Sequence, residues 1–177
     1  LDEAHASGKP FFLWYNTTAM HFRTYCAEKH KGKSGQGDYN DVMVAHDENV
    51  GLMLDKLDAL GIADDTIVIY TTDNGAEVIT FPDGGVTPFK GGKLTTWEGG
   101  MRAPMVVRWP GHIKPGTIKN QMFASLDWLP TLVEAAGGAK GNTLNDQIMA
   151  GKYPGIVKTR LDGVNQLAYL TGQSEKS

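Results

Sequence analysis

Three small groups of residues carry side chains whose types and spacing could do chemistry. Asp73-Asn74-Gly75 follows directly on the β-branched run from Thr66 to Thr72. Ligands of an open α/β sheet bind outside the carboxyl ends of its strands, so a carboxylate and an amide are well placed there. Both offer hard oxygen donors, which suit Ca²⁺ or Mg²⁺ rather than a soft metal, although Asp-Asn-Gly is equally a common turn. Lys93 stands within Gly91-Gly92-Lys93-Leu94-Thr95-Thr96-Trp97-Glu98-Gly99-Gly100. Glycines let backbone approach a ligand closely, and a lysine among them sets a compact positive charge against an oxyanion such as sulfate or phosphate. A solvated lysine in a flexible loop would have the same composition. Leu94 stands where a Walker loop has Ser or Thr, so this is not that motif. His21, just beyond the apolar run Phe11 to Tyr15, could donate a hydrogen bond to an anion or protonate a leaving group, or could be an ordinary surface histidine.

The surrounding pattern says what must hold these residues. Residues 1–7 have helix-forming composition and stop at Gly8-Lys9-Pro10. Phe11 to Tyr15 is a continuous apolar and aromatic run, the signature of a strand covered on both faces. Residues 22–38 are polar, with Lys29, Lys31 and Lys33 close together, and should form an irregular loop. From about Tyr39 to Leu60 apolar residues fall mostly three, four or seven apart, which predicts an amphipathic helix closed by Gly61. Thr66 to Thr72 then reads as a buried strand. Strand, helix and strand in this order form a βαβ pattern, so an α/β fold with a parallel sheet is expected. Residues 73–103 are glycine-rich and aperiodic, too much irregular chain for a compact domain unless it has a task. Met105 to Trp109 predicts a further strand. A helix follows near Trp128 to Ala136, with Asp127 as N-cap and Gly137-Gly138 as its stop. Beyond Gly138 no regular element is expected.

Composition narrows the function classes. With 17 basic against 20 acidic residues and a formal charge of -3, the chain has no overall field to attract nucleic acid or an anionic membrane. No apolar run approaches the roughly 20 residues that span a bilayer. The single cysteine, Cys26, excludes an intrachain disulfide and a cysteine-built metal site. Leu1-Asp2-Glu3-Ala4 has neither an initiator Met nor the order of a signal peptide, so the sequence reads as though cut from something longer.

Jointly, the motifs resemble one family. Asp73-Asn74-Gly75 after a strand, with Gly92-Lys93-x-Thr95-Thr96-Trp97-Glu98-Gly99-Gly100-x-Arg102-x-Pro104 about twenty residues later, is similar to the second half of the sulfatases. Supporting matches are Pro110-Gly111, the stretch Ser125 to Leu132, Leu161-Asp162-Gly163-Val164 and Leu170-Thr171-Gly172. The resemblance implies an α/β fold related to alkaline phosphatase, a mixed, largely parallel sheet packed between helices, incomplete here at the N-terminus. Residues 1–138 would be part of the catalytic domain and 139–177 a polar C-terminal segment of it.

The resemblance also implies roles. Asp73 and Asn74 match two ligands of a divalent cation, usually Ca²⁺, with Mg²⁺ as the alternative. Lys93 matches a lysine on the sulfate group and its bridging oxygen, and His21 a histidine that binds sulfate and assists the leaving group. Glu98 and Arg102 would pair with each other across the loop as structural residues. The implied activity is hydrolysis of sulfate esters, on a small molecule or a sulfated glycan, in a periplasmic or secreted setting. A phosphonate or phosphodiester hydrolase of the same superfamily is the neighbouring alternative. The family's nucleophile, a formylglycine made from Cys or Ser in a Cys/Ser-x-Pro/Ala-x-Arg setting, has no counterpart. Cys26, in Thr24-Tyr25-Cys26-Ala27-Glu28, lacks the arginine and the small residues. The nucleophile, the early Asp-Asp metal pair and a Lys-x-His would lie upstream of Leu1, so these 177 residues alone are expected to be inactive.

Overall fold

A computed structural model describes residues 1–82 and 84–177. They gather into two compact units, Leu1–Trp109 and Pro110–Ser177. Asp83, in the glycine-rich, aperiodic stretch 73–103, lies outside the described residues.

The first unit is organised around one long helix and a two-stranded ribbon. Helix α1 is Asp2–Ala6 and α2 is Asp38–Ala59, the latter stopping where Gly61 was expected to stop it. Val42 and Leu57 point inward from α2, and so does Asp41, which is only 2% exposed. Asp41 is an anchor: its carboxylate accepts the Gly32 N–H at 2.6 Å, the Ser34 N–H at 2.8 Å and the Ser34 hydroxyl at 2.6 Å. These bonds hold its carboxyl below the usual range, the Ser34 side chain contributing most. The stretch predicted as irregular is therefore pinned, and a short 3₁₀ turn forms at Glu28–His30.

Strand β1, Val68–Thr71, pairs with β2, Met105–Arg108, in register Val68 to Arg108 through Thr71 to Met105. The pairing is antiparallel. The parallel pair that the βαβ pattern predicted, Phe11 to Tyr15 beside β1, is not formed among the described residues, because Phe11 to Tyr15 forms no strand. A strand needs a neighbour for its backbone N–H and C=O groups, and among the described residues none lies beside this run. It stands open instead, with Phe12 73% and Trp14 76% exposed. β1 likewise is half-buried to exposed where full burial was predicted. The ring of His46 on α2 links the chain after the run to β1, with Nδ1 at 3.3 Å from the Thr17 hydroxyl and Nε2 at 3.0 Å from the Tyr70 hydroxyl.

The second unit is helical. Helix α3, Glu98–Met101, closes the glycine-rich segment of the first unit; α4, Trp128–Ala135, α5, Leu144–Met149, and α6, Leu167–Leu170, belong to the second. α4 matches the predicted helix, while α5 and α6 lie where no element was expected. They are one or two turns long, too short for a periodic signal; Leu144 and Ile148 of α5 pack with Ala139, Val133, Tyr153 and Leu161, while α6 buries Tyr169 and Leu170. Asp127 does not cap α4 with its side chain. Its carboxylate instead accepts the Ala124 N–H at 3.0 Å, the Val164 N–H at 2.8 Å and the Gln166 amide at 3.2 Å. The stretches around Ser125 to Leu132 and Leu161 to Val164 are thus packed on each other.

Candidate active site

β1 ends at Thr71, and the chain passes straight into the Asp73-Asn74-Gly75 turn. Asp73 is exposed and Asn74 half-buried. The Asn74 amide donates from Nδ2 to the Gly75 carbonyl at 2.8 Å, so Oδ1 is the oxygen it could offer to a cation. The glycine-rich segment folds back onto this turn. The Gly75 N–H donates to the Gly100 carbonyl at 2.8 Å, and the Lys93 N–H donates to the Ala76 carbonyl at 2.9 Å. A Cβ at Gly75 would lie 1.8 Å from the Gly99 carbonyl oxygen, so only glycine permits this approach. The Thr95 hydroxyl and N–H both bond the Gly92 carbonyl, at 2.8 and 3.1 Å, and close a tight turn around Lys93.

His21 is held by a reciprocal pair: its N–H donates to the Thr24 hydroxyl at 3.0 Å, and the Thr24 N–H returns to the His21 carbonyl at 2.9 Å. Its ring lies 4.4 Å from that of Phe22, centre to centre. His21 and Lys93 line one cleft of about 370 Å³, together with Phe22, Glu77, Thr80 and Leu94. Asp73 and Asn74 do not line it; they are joined to it through the backbone bonds on Gly75 and Ala76. Each cleft residue has a strained neighbour. Among the described residues the non-glycines in left-handed backbone are Met20, at φ 66°, before His21, and Leu94, at φ 71°, after Lys93. Such a conformation costs about 1–3 kcal/mol and persists only where the surroundings impose it, a pattern that clusters at functional sites.

The donor set at Asp73 and Asn74 has the hard-oxygen chemistry that Ca²⁺ takes, but supplies two of the six to eight oxygens it needs. Among the described residues no three His, Cys, Asp or Glu side chains gather into a metal site. Glu98 and Arg102 pair as expected, with Nη1 donating to Oε2 at 3.2 Å. Cys26 is half-buried, and burial, with Asp41 and Asp38 nearby, pushes its thiol up, the opposite of an activated nucleophile.

One cleft residue escaped the sequence reading. Glu77 Oε1 accepts the Ile79 and Thr80 N–H groups, both at 3.0 Å, while Oε2 is buried with no hydrogen-bond partner among the described residues. Burial pushes this carboxyl up, but the bonds from Thr80 and Ile79 and the charge of Lys93 outweigh it and hold it below the usual range. The available signal was a carboxylate inside a segment whose irregularity already marked it as functional.

A family model described as Sulfatase matches residues 1–139. The chain belongs to the sulfatase family. This sulfatase chain is 36% identical to arylsulfatase A of Bos taurus over 149 residues, which are 84% of the chain and 29% of that relative. It is 41% identical to N-acetylgalactosamine-6-sulfatase of Mus musculus over 135 residues, 75% of the chain and 26% of the relative. Among solved structures it resembles the PsFucS1 sulfatase from Pseudoalteromonas sp., with a TM-score of 0.84 at 31% identity, covering 99% of this chain and 33% of that one. Ps i-CgsB in complex with k-i-k-neocarrahexaose matches with a TM-score of 0.76 at 26% identity, over 95% of this chain and 35% of that one. The sulfatase chain thus spans less than a third of the length of these two curated relatives. Its fold is α/β, as the sequence led one to expect, with the antiparallel ribbon as a local part of it. No described helix is long and apolar enough to cross a membrane.

Proposed function

We propose that the whole enzyme hydrolyses sulfate esters, and that this chain supplies its oxyanion cleft and two of its metal ligands. The observation that supports this most directly is the cleft shared by His21 and Lys93, with the Lys93 backbone bonded to the turn that carries Asp73 and Asn74. A sulfate ester presents tetrahedral oxygens with delocalised negative charge. The Lys93 ammonium, a compact donor on a flexible stem, sets its charge against those oxygens and against the bridging oxygen as the S–O bond breaks. The His21 imidazole, which carries its protons on ring nitrogens that can donate, gives a hydrogen bond to the departing oxygen. Fixing both on strained, hydrogen-bonded backbone limits the reorganisation needed during reaction.

Asp73 and Asn74 would hold Ca²⁺, or Mg²⁺, with the remaining ligands drawn from outside this chain. The formylglycine that the family resemblance implies supplies the attack on sulfur and is not among these residues. The substrate class is a small sulfate ester or a sulfated glycan, which suits a cleft opening beside exposed side chains.

The test is steady-state turnover of 4-nitrophenyl sulfate, with Ca²⁺ affinity by calorimetry, in the full-length enzyme and its Asp73→Ala and Lys93→Ala variants. Asp73→Ala should weaken Ca²⁺ at least about tenfold, a loss fitting removal of a charged oxygen ligand. Lys93→Ala should cut turnover with Ca²⁺ affinity retained. Wild-type rate and affinity in both variants would overturn the reading.

A further inference from the structure

The turn that delivers His21 is strained, and its own bonds do not say where it sits. Met20, the residue before His21, stands at φ 66°, a left-handed backbone that relaxes unless its surroundings impose it. The Thr24 hydroxyl accepts the His21 N–H at 3.0 Å and reaches back to the Thr18 carbonyl at 3.5 Å, so residues 18–24 form a small hydrogen-bonded loop. These bonds fix the shape of the loop and leave its place relative to the rest of the site open. Among the described residues no backbone hydrogen bond joins residues 10–20 to β1 or to α2. The placement of His21 therefore falls to side chains.

One imidazole makes that connection. From α2, His46 sets Nδ1 3.3 Å from the hydroxyl of Thr17, immediately before the His21 loop, and Nε2 3.0 Å from the hydroxyl of Tyr70, on the strand that runs into Asp73-Asn74. Both partners are hydroxyls, which donate or accept as required, so either imidazole tautomer makes both bonds. The ring also lies against that of Tyr70, with 5.8 Å between centres. The Tyr70 end is the fixed one, because β1 is laddered to β2 and the turn after it is bonded through Gly75 to Gly100. On the proposed sulfatase activity, we infer that His46 is a positioning residue. It holds the His21 loop in place against the strand that carries Asp73 and Asn74, and it acts on the reaction only through His21.

Phenyl sulfate and 4-nitrophenyl sulfate test this in the full-length enzyme, because phenoxide is the poorer leaving group and depends more on a hydrogen-bond or proton donor. His46→Ala deletes the bridge, while Thr17→Val and Tyr70→Phe each remove one hydroxyl at nearly constant shape and guard against a folding defect in the first variant. Each should lower kcat on phenyl sulfate by about 10- to 100-fold, the cost of a misplacement of about 1 Å. The loss on 4-nitrophenyl sulfate should be smaller, and Ca²⁺ affinity by calorimetry should not change. Thr17→Val and Tyr70→Phe combined should lose no more than either alone, since a bridge cut at one end is already cut. In a His21→Ala background, His46→Ala should have no further effect. Equal losses on the two esters, an undiminished loss in the His21→Ala background, or wild-type kcat in all three single variants would each overturn the role of His46 and leave the sulfatase reading standing. No turnover of either ester by the wild type would overturn both.

Discussion

The Lys93 backbone N–H donates to the Ala76 carbonyl at 2.9 Å, so the lysine of the cleft is tied to the turn that follows β1. With the Gly75 to Gly100 bond at 2.8 Å, this makes the turn and the glycine-rich segment one hydrogen-bonded unit. Disturbing either part should disturb the other.

Gly75→Ala puts a Cβ 1.8 Å from the Gly99 carbonyl oxygen, a backbone atom that cannot swing aside. The first unit should lose about 1–3 kcal/mol, the usual cost of overpacking, seen as a lower melting temperature by circular dichroism. Gly51→Ala is the contrast. Gly51 lies inside α2, where a Cβ would meet nothing within 4 Å, and alanine should stabilise by about 1 kcal/mol. Equal effects of the two changes would contradict the packing described.

Lys93→Ala should lower kcat/KM for 4-nitrophenyl sulfate in the full-length enzyme by about 100- to 1,000-fold, the range for losing one preorganised charged donor. Lys93→Arg should not restore it, because the guanidinium is a wider planar fork in a cleft shaped around an ammonium. Steady-state kinetics decide this, and a loss below about fivefold for the alanine variant would count against the lysine's role.

Glu48 on α2 accepts from Lys33 Nζ at 2.7 Å and from His30 Nε2 at 2.7 Å. The Lys33 bond first and His30 second hold its carboxyl down to about 2, against about 4.3 in an unfolded chain. The unfolded chain therefore binds the proton more tightly, and this carboxylate's contribution is fully present above about pH 4.3 and fades as pH falls toward 2. Melting temperatures from pH 2 to 6 should show a shallower acid decline for Glu48→Gln than for the wild type. Parallel curves would exclude the coupling.

Gly163 faces the Leu126 carbonyl, where a Cβ would stand 2.0 Å from the oxygen. Gly163→Ala should push the 161–164 stretch off Asp127, breaking the 2.8 Å bond from the Val164 N–H. Faster amide hydrogen exchange at Val164 and Gln166 reads this directly, and unchanged protection would refute it.

Much of the local structure was legible because it is local. The 3.6-residue spacing from Tyr39 to Leu60 and the β-branched run before Asp73 specify α2 and β1 through periodicity and propensity alone. The i, i+4 relation of Glu98 and Arg102 made their pairing foreseeable, and the long motif around Lys93 carried the family. The sequence by itself thus determined the main elements and the identities of the residues with chemistry. Tertiary structure decided what depends on distant partners. Phe11 to Tyr15 has a strand's composition, yet forms none without a neighbour for its backbone. The direction of the β1–β2 pairing and the gathering of His21, Lys93 and Glu77 on one cleft depend on residues 16 to 72 positions apart in the chain. Side-chain types state what a residue can do, whereas burial and pairing are set by which other atoms reach it, and that is a property of the folded chain.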